Sequence, residues 1–155
     1  MTRWLNSRWR FRFFLWWKLP AAAFMGIRLE QIDAGRCVVQ LPYGWRSQNP
    51  FHSIYFAAQC AAAELSTGLP AWMAVQGQEA PVSMLITHLE ANFLKKAAQM
   101  VRFTCESVED IAGAVQRAAH TGEAQTLRVL SIGRLPDGTE VAHIWVTWAF
   151  RRKKP

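Results

Sequence analysis

The stretch FAAQCAAAELSTG, residues 56–68, constrains the fold more than any other part of the chain. Read at helical period, its alanines fall on nearly every face. A helix that is small on all sides can be approached closely on all sides, so it is expected at the centre of the molecule rather than on its surface. Asn49 or Ser53, just upstream, can cap its start. Gly68 is placed to end it, and Pro70 to prevent its resumption.

The rest of the chain supplies strands to surround such a helix. Residues 27–33 alternate apolar and polar, as a half-buried strand does. Ala34-Gly35 turns the chain into a second strand at 36–42, closed by Pro42 and Gly44. Four more strands are expected at 83–94, 99–107, 124–134 and 139–150. The last two are joined by the hairpin turn Pro136-Asp137-Gly138. A short surface helix is expected at 109–121. In the final strand both alternating sets are rich in apolar groups. That predicts cover on both faces, by the helix on one and by a partner or the N-terminal segment on the other. The fold class is therefore α+β, an antiparallel sheet of about five to six strands wrapped around a long central helix. One helix cannot cover such a sheet, so an open edge or face invites a homodimer, and dimers can pair into a tetramer.

A single unit fits the 155 residues. The organisation expected is a basic aromatic helix or arm at 1–24, a domain at 25–150 and a basic tail at 151–155. With 51% hydrophobic and 19% charged residues, the chain is too apolar to be disordered and too broken by charge to be a polytopic membrane protein. Cys37, Cys60 and Cys105 are odd in number and lack CxxC spacing. Neither a disulfide scaffold nor a structural zinc site is expected, and a reducing, cytoplasmic setting is the default. His88, His120 and His143 have no acid at a ligand spacing, so no metal and no cofactor are expected.

Half of the 18 basic residues lie at the ends: Arg3, Arg8, Arg10, Arg12 and Lys18, then Arg151, Arg152, Lys153 and Lys154. The net charge of +7 is thus a property of the termini, and solvated tails explain it most simply. The start also crowds aromatic residues between Trp4 and Trp17. Lys18 and Pro20 interrupt that run before it reaches the roughly 20 residues of a membrane span. Its apolar core, Phe13–Trp17, is also shorter than the roughly 7–15 residues of a secretory leader. The pattern fits a helix packed on the domain or on a partner, or one making peripheral contact with an anionic membrane. There is no GxSxG, no P-loop and no GxGxxG between strand and helix. No nucleic-acid module is recognised, so nucleic acid is not an expected partner.

A long small-residue helix, preceded by a strand pair and an Asn-bearing loop and then embraced by strands, resembles the hotdog fold. The chain is most similar to thioesterase-like members, an uncharacterised single-domain bacterial branch near the phenylacetyl-CoA type. Those proteins carry Asn, a His six residues later followed by Gly-Gly, and a helix acid nine residues after the His. Here Asn49 is followed six residues later by Tyr55, and nine residues after that by Glu64. Tyr55 stands where the family has His, and Phe56-Ala57 where it has Gly-Gly. Residues 93–97, FLKKA, resemble the segment that ends the following strand.

Thioester hydrolysis needs a base or nucleophile, donors for the developing oxyanion, and a groove for the acyl chain. Glu64 is the candidate base. Its helix neighbours Ala57, Cys60, Ala61 and Leu65 should raise its pKa. A bond to a nearby strand or exposure near the helix end is the structural alternative. Asn49 can orient a water or the carbonyl, unless it serves only as a cap. The N–H groups of Phe56 and Ala57, in the first helical turn, can hold the oxyanion. Tyr55 can donate a hydrogen bond in place of the family's His. The segment Asn49-Pro50-Phe51-His52 also resembles that of hotdog enoyl-CoA hydratases, which would give His52 a role; the Asp they carry two residues before the Asn is Ser47 here. Lys95 and Lys96, or the basic tail, can attract CoA phosphates.

The function expected is hydrolysis of acyl-CoA or a related thioester, with Glu64 activating water. The alternative is a non-catalytic acyl-thioester or lipid-binding module that kept the groove without Gly-Gly and His. A hydratase-like enzyme is more remote.

Overall fold

The computed structural model describes residues 8–153. Arg3, Trp4 and Lys154, counted above with the ends of the chain, lie outside the described residues. Among the described residues two helices come first, α1 (Arg8–Lys18) and α2 (Pro20–Phe24). Then follow β1 (Arg28–Ile32), β2 (Cys37–Leu41) and the long helix α3 (Phe56–Gln76). The chain continues through β3 (Val82–Phe93), β4 (Val101–Cys105), α4 (Val108–Thr121), β5 (Gln125–Arg134) and β6 (Glu140–Arg152).

The strands form one sheet in the order β1-β2-β4-β5-β6-β3, with every neighbouring pair antiparallel. Local chemistry makes the tight connections. Asp33 Oδ1 accepts the N–H groups of Gly35 and Arg36 between β1 and β2. Between β5 and β6, Asp137 Oδ1 accepts Thr139 N–H at 2.9 Å, and Gly138 takes φ 87°, a conformation glycine adopts without penalty. The inner face of the sheet wraps α3, and α4 lies beside it against β5 and β6. This is the α+β hotdog arrangement that the sequence leads one to expect.

Two expectations for α3 need correction. The helix does not end at Gly68; it continues through Pro70 to Gln76, 21 residues in all. Pro70 has no N–H and so removes one helical bond. Every residue from Leu65 to Ala71 is buried, however, and helical stability in a folded chain comes chiefly from such packing. Gly68 provides space rather than a stop. A Cβ built on it would come 2.7 Å from Glu64 Oε1 and 3.2 Å from Trp148 Cζ2. Nor is the helix buried all round. Ala57, Cys60, Ala61 and Glu64 form a half-exposed stripe along its first half.

The expectation that β6 is covered on both faces also fails within one chain. Ile144, Val146, Trp148 and Phe150 are buried, while His143, Trp145, Thr147 and Ala149 on the outer face are only half-buried. The N-terminal helix goes elsewhere, because its buried residues Phe11 and Leu15 serve another surface. It packs on β1, and the Phe14 ring meets Trp72 of α3 with centroids 5.3 Å apart.

β3 is an edge strand with a change of phase. Ile86 pairs with Trp148 and His88 with Thr147, so Thr87 is an extra residue. Val82, Met84 and Ile86 share the inner face before it, and Leu89, Ala91 and Phe93 after it. Leu89 and Phe93 nonetheless remain 39% and 45% exposed. Among the described residues, the inner face at this end of the edge strand is only partly covered.

Candidate active site

The loop between β2 and α3 delivers the chain to the helix start. Ser47 is buried and donates from Oγ to the Pro42 carbonyl. Asn49 does not cap α3. Its Oδ1 accepts from Phe51 N–H at 3.0 Å, Ser53 N–H at 3.2 Å and Ser53 Oγ at 3.1 Å, which folds the loop on itself. The carbonyl side of that amide is therefore saturated, and only its NH2 is left to donate. Ser53 does not cap the helix either. The N-cap is Tyr55, in extended conformation and without a side-chain cap bond.

The consequence lies in the backbone. The N–H groups of Ala58 and Gln59 both turn to the Tyr55 carbonyl, whereas those of Phe56 and Ala57 find no acceptor among the described residues. They are two oriented donors at the positive end of a 21-residue helix.

A cavity of about 430 Å³ opens beside this helix start. Asn49, Ser53, Phe56 and Gln59 line one side of it. Phe93, Lys95 and Lys96 line the other, so the FLKKA segment lies across the cavity from the Asn49 loop. A bond from Ile54 N–H to the Ala97 carbonyl at 2.7 Å holds the two sides together. Phe56 and Phe93 meet edge to face, with centroids 6.3 Å apart. The Tyr55 ring is exposed and packs on Phe56 at 4.8 Å. His52 is exposed at a positive φ of 55° and is not part of the lining. The tail residues Arg151 and Arg152 pair with the start of β3, the end away from the cavity.

Glu64, like His52, stands apart from the cavity. Eight helical residues separate it from Phe56, about 12 Å along the axis. It does not line the cavity. Instead its carboxylate lies over Gly68 near the Trp148 ring, and no hydrogen-bond partner meets it among the described residues. Burial pushes its pKa up to about 7. A carboxyl poised there is half ionised near neutral pH and suits proton transfer.

Gln59 was not singled out by the sequence. It is buried, its Oε1 has no partner, and its Nε2 reaches the Ile54 carbonyl only at 3.4 Å. A buried amide oxygen without a donor is costly, and this one sits in the cavity wall. The signal was present: glutamine is the odd residue in an alanine run expected to be buried. Among the described residues, no group of three or more His, Cys, Asp or Glu could hold a metal ion.

The family model described as Domain of unknown function (DUF4442) matches residues 7–150. The chain belongs to the DUF4442 family. No curated protein matches it. Solved structures share the fold of this DUF4442 chain. A protein of unknown function from Pseudomonas aeruginosa, described as a probable thioesterase, is 19% identical with a TM-score of 0.70, over 83% of this chain and 85% of its own. A thioesterase from Haemophilus influenzae is 13% identical with a TM-score of 0.68, over 94% and 91%. A thioesterase from Staphylococcus aureus, crystallised as a glutamine-to-alanine variant, is 17% identical with a TM-score of 0.62, over 82% and 94%. The same protein was also crystallised with a glutamate changed to alanine. The DUF4442 chain thus has a thioesterase-like hotdog fold.

Proposed function

We propose that the chain hydrolyses an acyl thioester, acyl-CoA or a related carrier, with Glu64 as general base. The carrying observation is a partly buried carboxyl poised near pH 7 on the same helix as two N–H donors without acceptors. The ionised carboxylate takes a proton from water as the water oxygen attacks the thioester carbonyl. The N–H groups of Phe56 and Ala57 hold the resulting oxyanion, with the Asn49 NH2 orienting the water or carbonyl. Collapse of the tetrahedral species breaks the C–S bond. The leaving thiolate recovers the proton from Glu64, giving a carboxylic acid and a free thiol. Lys95 and Lys96, exposed at the cavity mouth, would attract the phosphates of the carrier. In the Staphylococcus aureus thioesterase the substituted glutamine and glutamate are fifteen residues apart in sequence. Asn49 and Glu64 have that same separation.

The gap between donors and acid makes a homodimer part of this reading. One carbonyl cannot touch both Phe56 N–H and Glu64 of a single straight helix. A second copy related by a two-fold axis at the β3 edge would continue the sheet and set the two α3 helices antiparallel. The half-exposed stripe would then meet its counterpart, with the donors of one chain facing the acid of the other. The only partly covered Leu89 and Phe93 support the same edge.

A second reading is a binding module without turnover. It is favoured by the Phe56 side chain, which stands beside the donors and packs on Phe93. The hydratase reading loses ground, because His52 lies outside the cavity lining. Thiol release from short, long and aromatic acyl-CoAs, with wild type beside Glu64→Ala, separates the readings. The expected result is turnover that collapses in the variant while circular dichroism is unchanged. Turnover that survives the substitution would remove Glu64 from the mechanism. Tight binding without thiol release from any thioester would establish the module instead.

A further inference from the structure

The outer side of α1 is not built like that of a surface helix. Its inner side is satisfied by Phe11 and Leu15, both buried in the domain. Its outer side should then be polar. Instead Phe13, Trp16 and Trp17 are exposed there, at 65%, 56% and 69%. The aromatic surface does not stop with the helix. Phe24 of α2 and Trp45, in the loop after β2, are also exposed and meet edge to face at 6.2 Å.

Cations thread this surface. Lys18 Nζ lies 5.9 Å from the Trp17 ring centroid, and the Arg46 guanidinium 5.8 Å from that of Phe24. A cleft of about 80 Å³ lies against Trp16, and Arg12, Arg28 and Arg46 stand in its wall. No acidic residue occurs in the sequence before Glu30, so the charge here has one sign. No helix among the described residues is long and apolar enough to cross a membrane.

Exposed tryptophan and phenylalanine interleaved with arginine and lysine match the chemistry of a bilayer interface, where rings sit at headgroup level and cations meet lipid phosphates. We propose that this face docks the protein on an anionic phospholipid surface, with the cleft of Arg12, Arg28 and Arg46 taking a lipid phosphate. The face is distinct from the Asn49–Lys96 cavity and does not depend on the chemistry assigned there.

The test is co-sedimentation of the full chain with phosphatidylcholine vesicles, with and without phosphatidylglycerol. Binding is expected only to the anionic vesicles, and it should weaken with salt. The indole fluorescence should be quenched by lipids brominated high on the acyl chain. Two double variants on exposed positions probe the two components. Trp17→Ser with Trp45→Ser should weaken binding and reduce the quenching, leaving what Trp16 contributes. Arg28→Glu with Arg46→Glu should weaken binding at least about fivefold per cation removed. Unchanged melting temperatures would show that both variants fold. Absence of binding to anionic vesicles, or equal binding by wild type and both variants, overturns the proposal. So does a saturable response to inorganic phosphate without vesicle binding, which would assign the cleft to a soluble anion. A larger particle mass that the tryptophan variant abolishes would assign the face to a second copy of the chain, and overturns it too.

Discussion

Trp148 donates its indole N–H to Thr67 Oγ1 at 3.0 Å, a buried bond from the last strand to the long helix. Thr67 Oγ1 in turn donates to the Glu64 carbonyl at 2.9 Å. The same indole ring lies 3.2 Å from where a Cβ on Gly68 would stand. One side chain of the sheet thus fixes the helical turn that carries the candidate base. The position of the Glu64 carboxylate is a property of core packing as much as of the helix.

Gly68→Ala tests that dependence. The added methyl must displace Glu64 Oε1, 2.7 Å away, and push the Trp148 ring by a few tenths of an ångström. A helix-interior alanine gains up to about 1 kcal/mol over glycine, while crowding the core costs about 1–3 kcal/mol. The expected outcome is a modest net loss of stability, with thiol release down on the order of tenfold to a hundredfold from the misplaced acid. Denaturant unfolding and the thiol assay on the same sample check it. Full activity in the variant would mean that the carboxylate works from another position.

The pH response of Glu64 has a definite sign. Its pKa is raised from 4.5 to about 7 in the folded chain by burial. Between those values the folded carboxyl keeps a proton that the unfolded one has lost, so stability falls as pH rises through this window. Above it the destabilisation is complete, on the order of 1–3 kcal/mol for a partly buried group. Glu64→Gln should therefore be more stable than wild type above pH 7, with the gap closing toward pH 4.5. Thiol release by wild type should rise with pH through about 7, as the carboxylate forms. A stability gap that does not vary with pH would contradict the assignment.

Much of the fold was legible in the sequence, and the exceptions have physical causes. Alternation and turn residues located all six strands, and Pro136-Asp137-Gly138 forms the hairpin turn as expected. Gly68 and Pro70 misled because both are local signals, and burial of residues 65–71 overrides them. The shift of phase at Thr87 was hidden, because Leu85 and Leu89 are both apolar although they lie on opposite faces. At the site, the apolar neighbours of Glu64 predicted the direction of its pKa. Motif spacing treated Asn49, Phe56 and Glu64 as one constellation, but helical rise sets Glu64 apart from the other two. Gln59 belongs to no motif, and its one mark in the sequence is an amide inside an alanine run expected to be buried; its unpartnered oxygen shows only in the structure.

Gln59→Met separates binding from packing. The substitution keeps the side-chain length and removes a buried oxygen without a donor, which is worth about 1–3 kcal/mol. Stability should hold or rise. If a substrate N–H is the missing donor, KM should increase roughly tenfold with kcat little changed. Lower stability with an unaltered KM would make Gln59 a structural residue held by its weak bond to Ile54.

Subunit complementation examines the shared site. Phe56→Pro deletes one oxyanion donor at the first helical position, where proline is tolerated. Tyr55 already has φ −61° and ψ 134°, which a residue before proline prefers. Phe56→Ala controls for the lost ring. Phe56→Pro and Glu64→Ala should each be inactive alone. Unfolded and refolded together, they should recover about a quarter of wild-type activity, since half the dimers are mixed and each holds one intact site. No recovery, with mixed dimers demonstrated, would place all the chemistry in one chain.

The extra residue Thr87 carries an evolutionary consequence. It moves the inward set of β3 from even-numbered to odd-numbered positions. Were Thr87 instead paired in regular alternation, His88, Glu90 and Asn92 would turn toward the helices, and Leu89, Ala91 and Phe93 would turn away. Insertions and deletions can accumulate between α3 and β3, where only a loop changes length. Between His88 and Phe93 a single gap would invert the facing of the residues on one side of it, so relatives should vary there by substitution and hardly ever by length, whereas loss of Thr87 itself would only flatten the bulge.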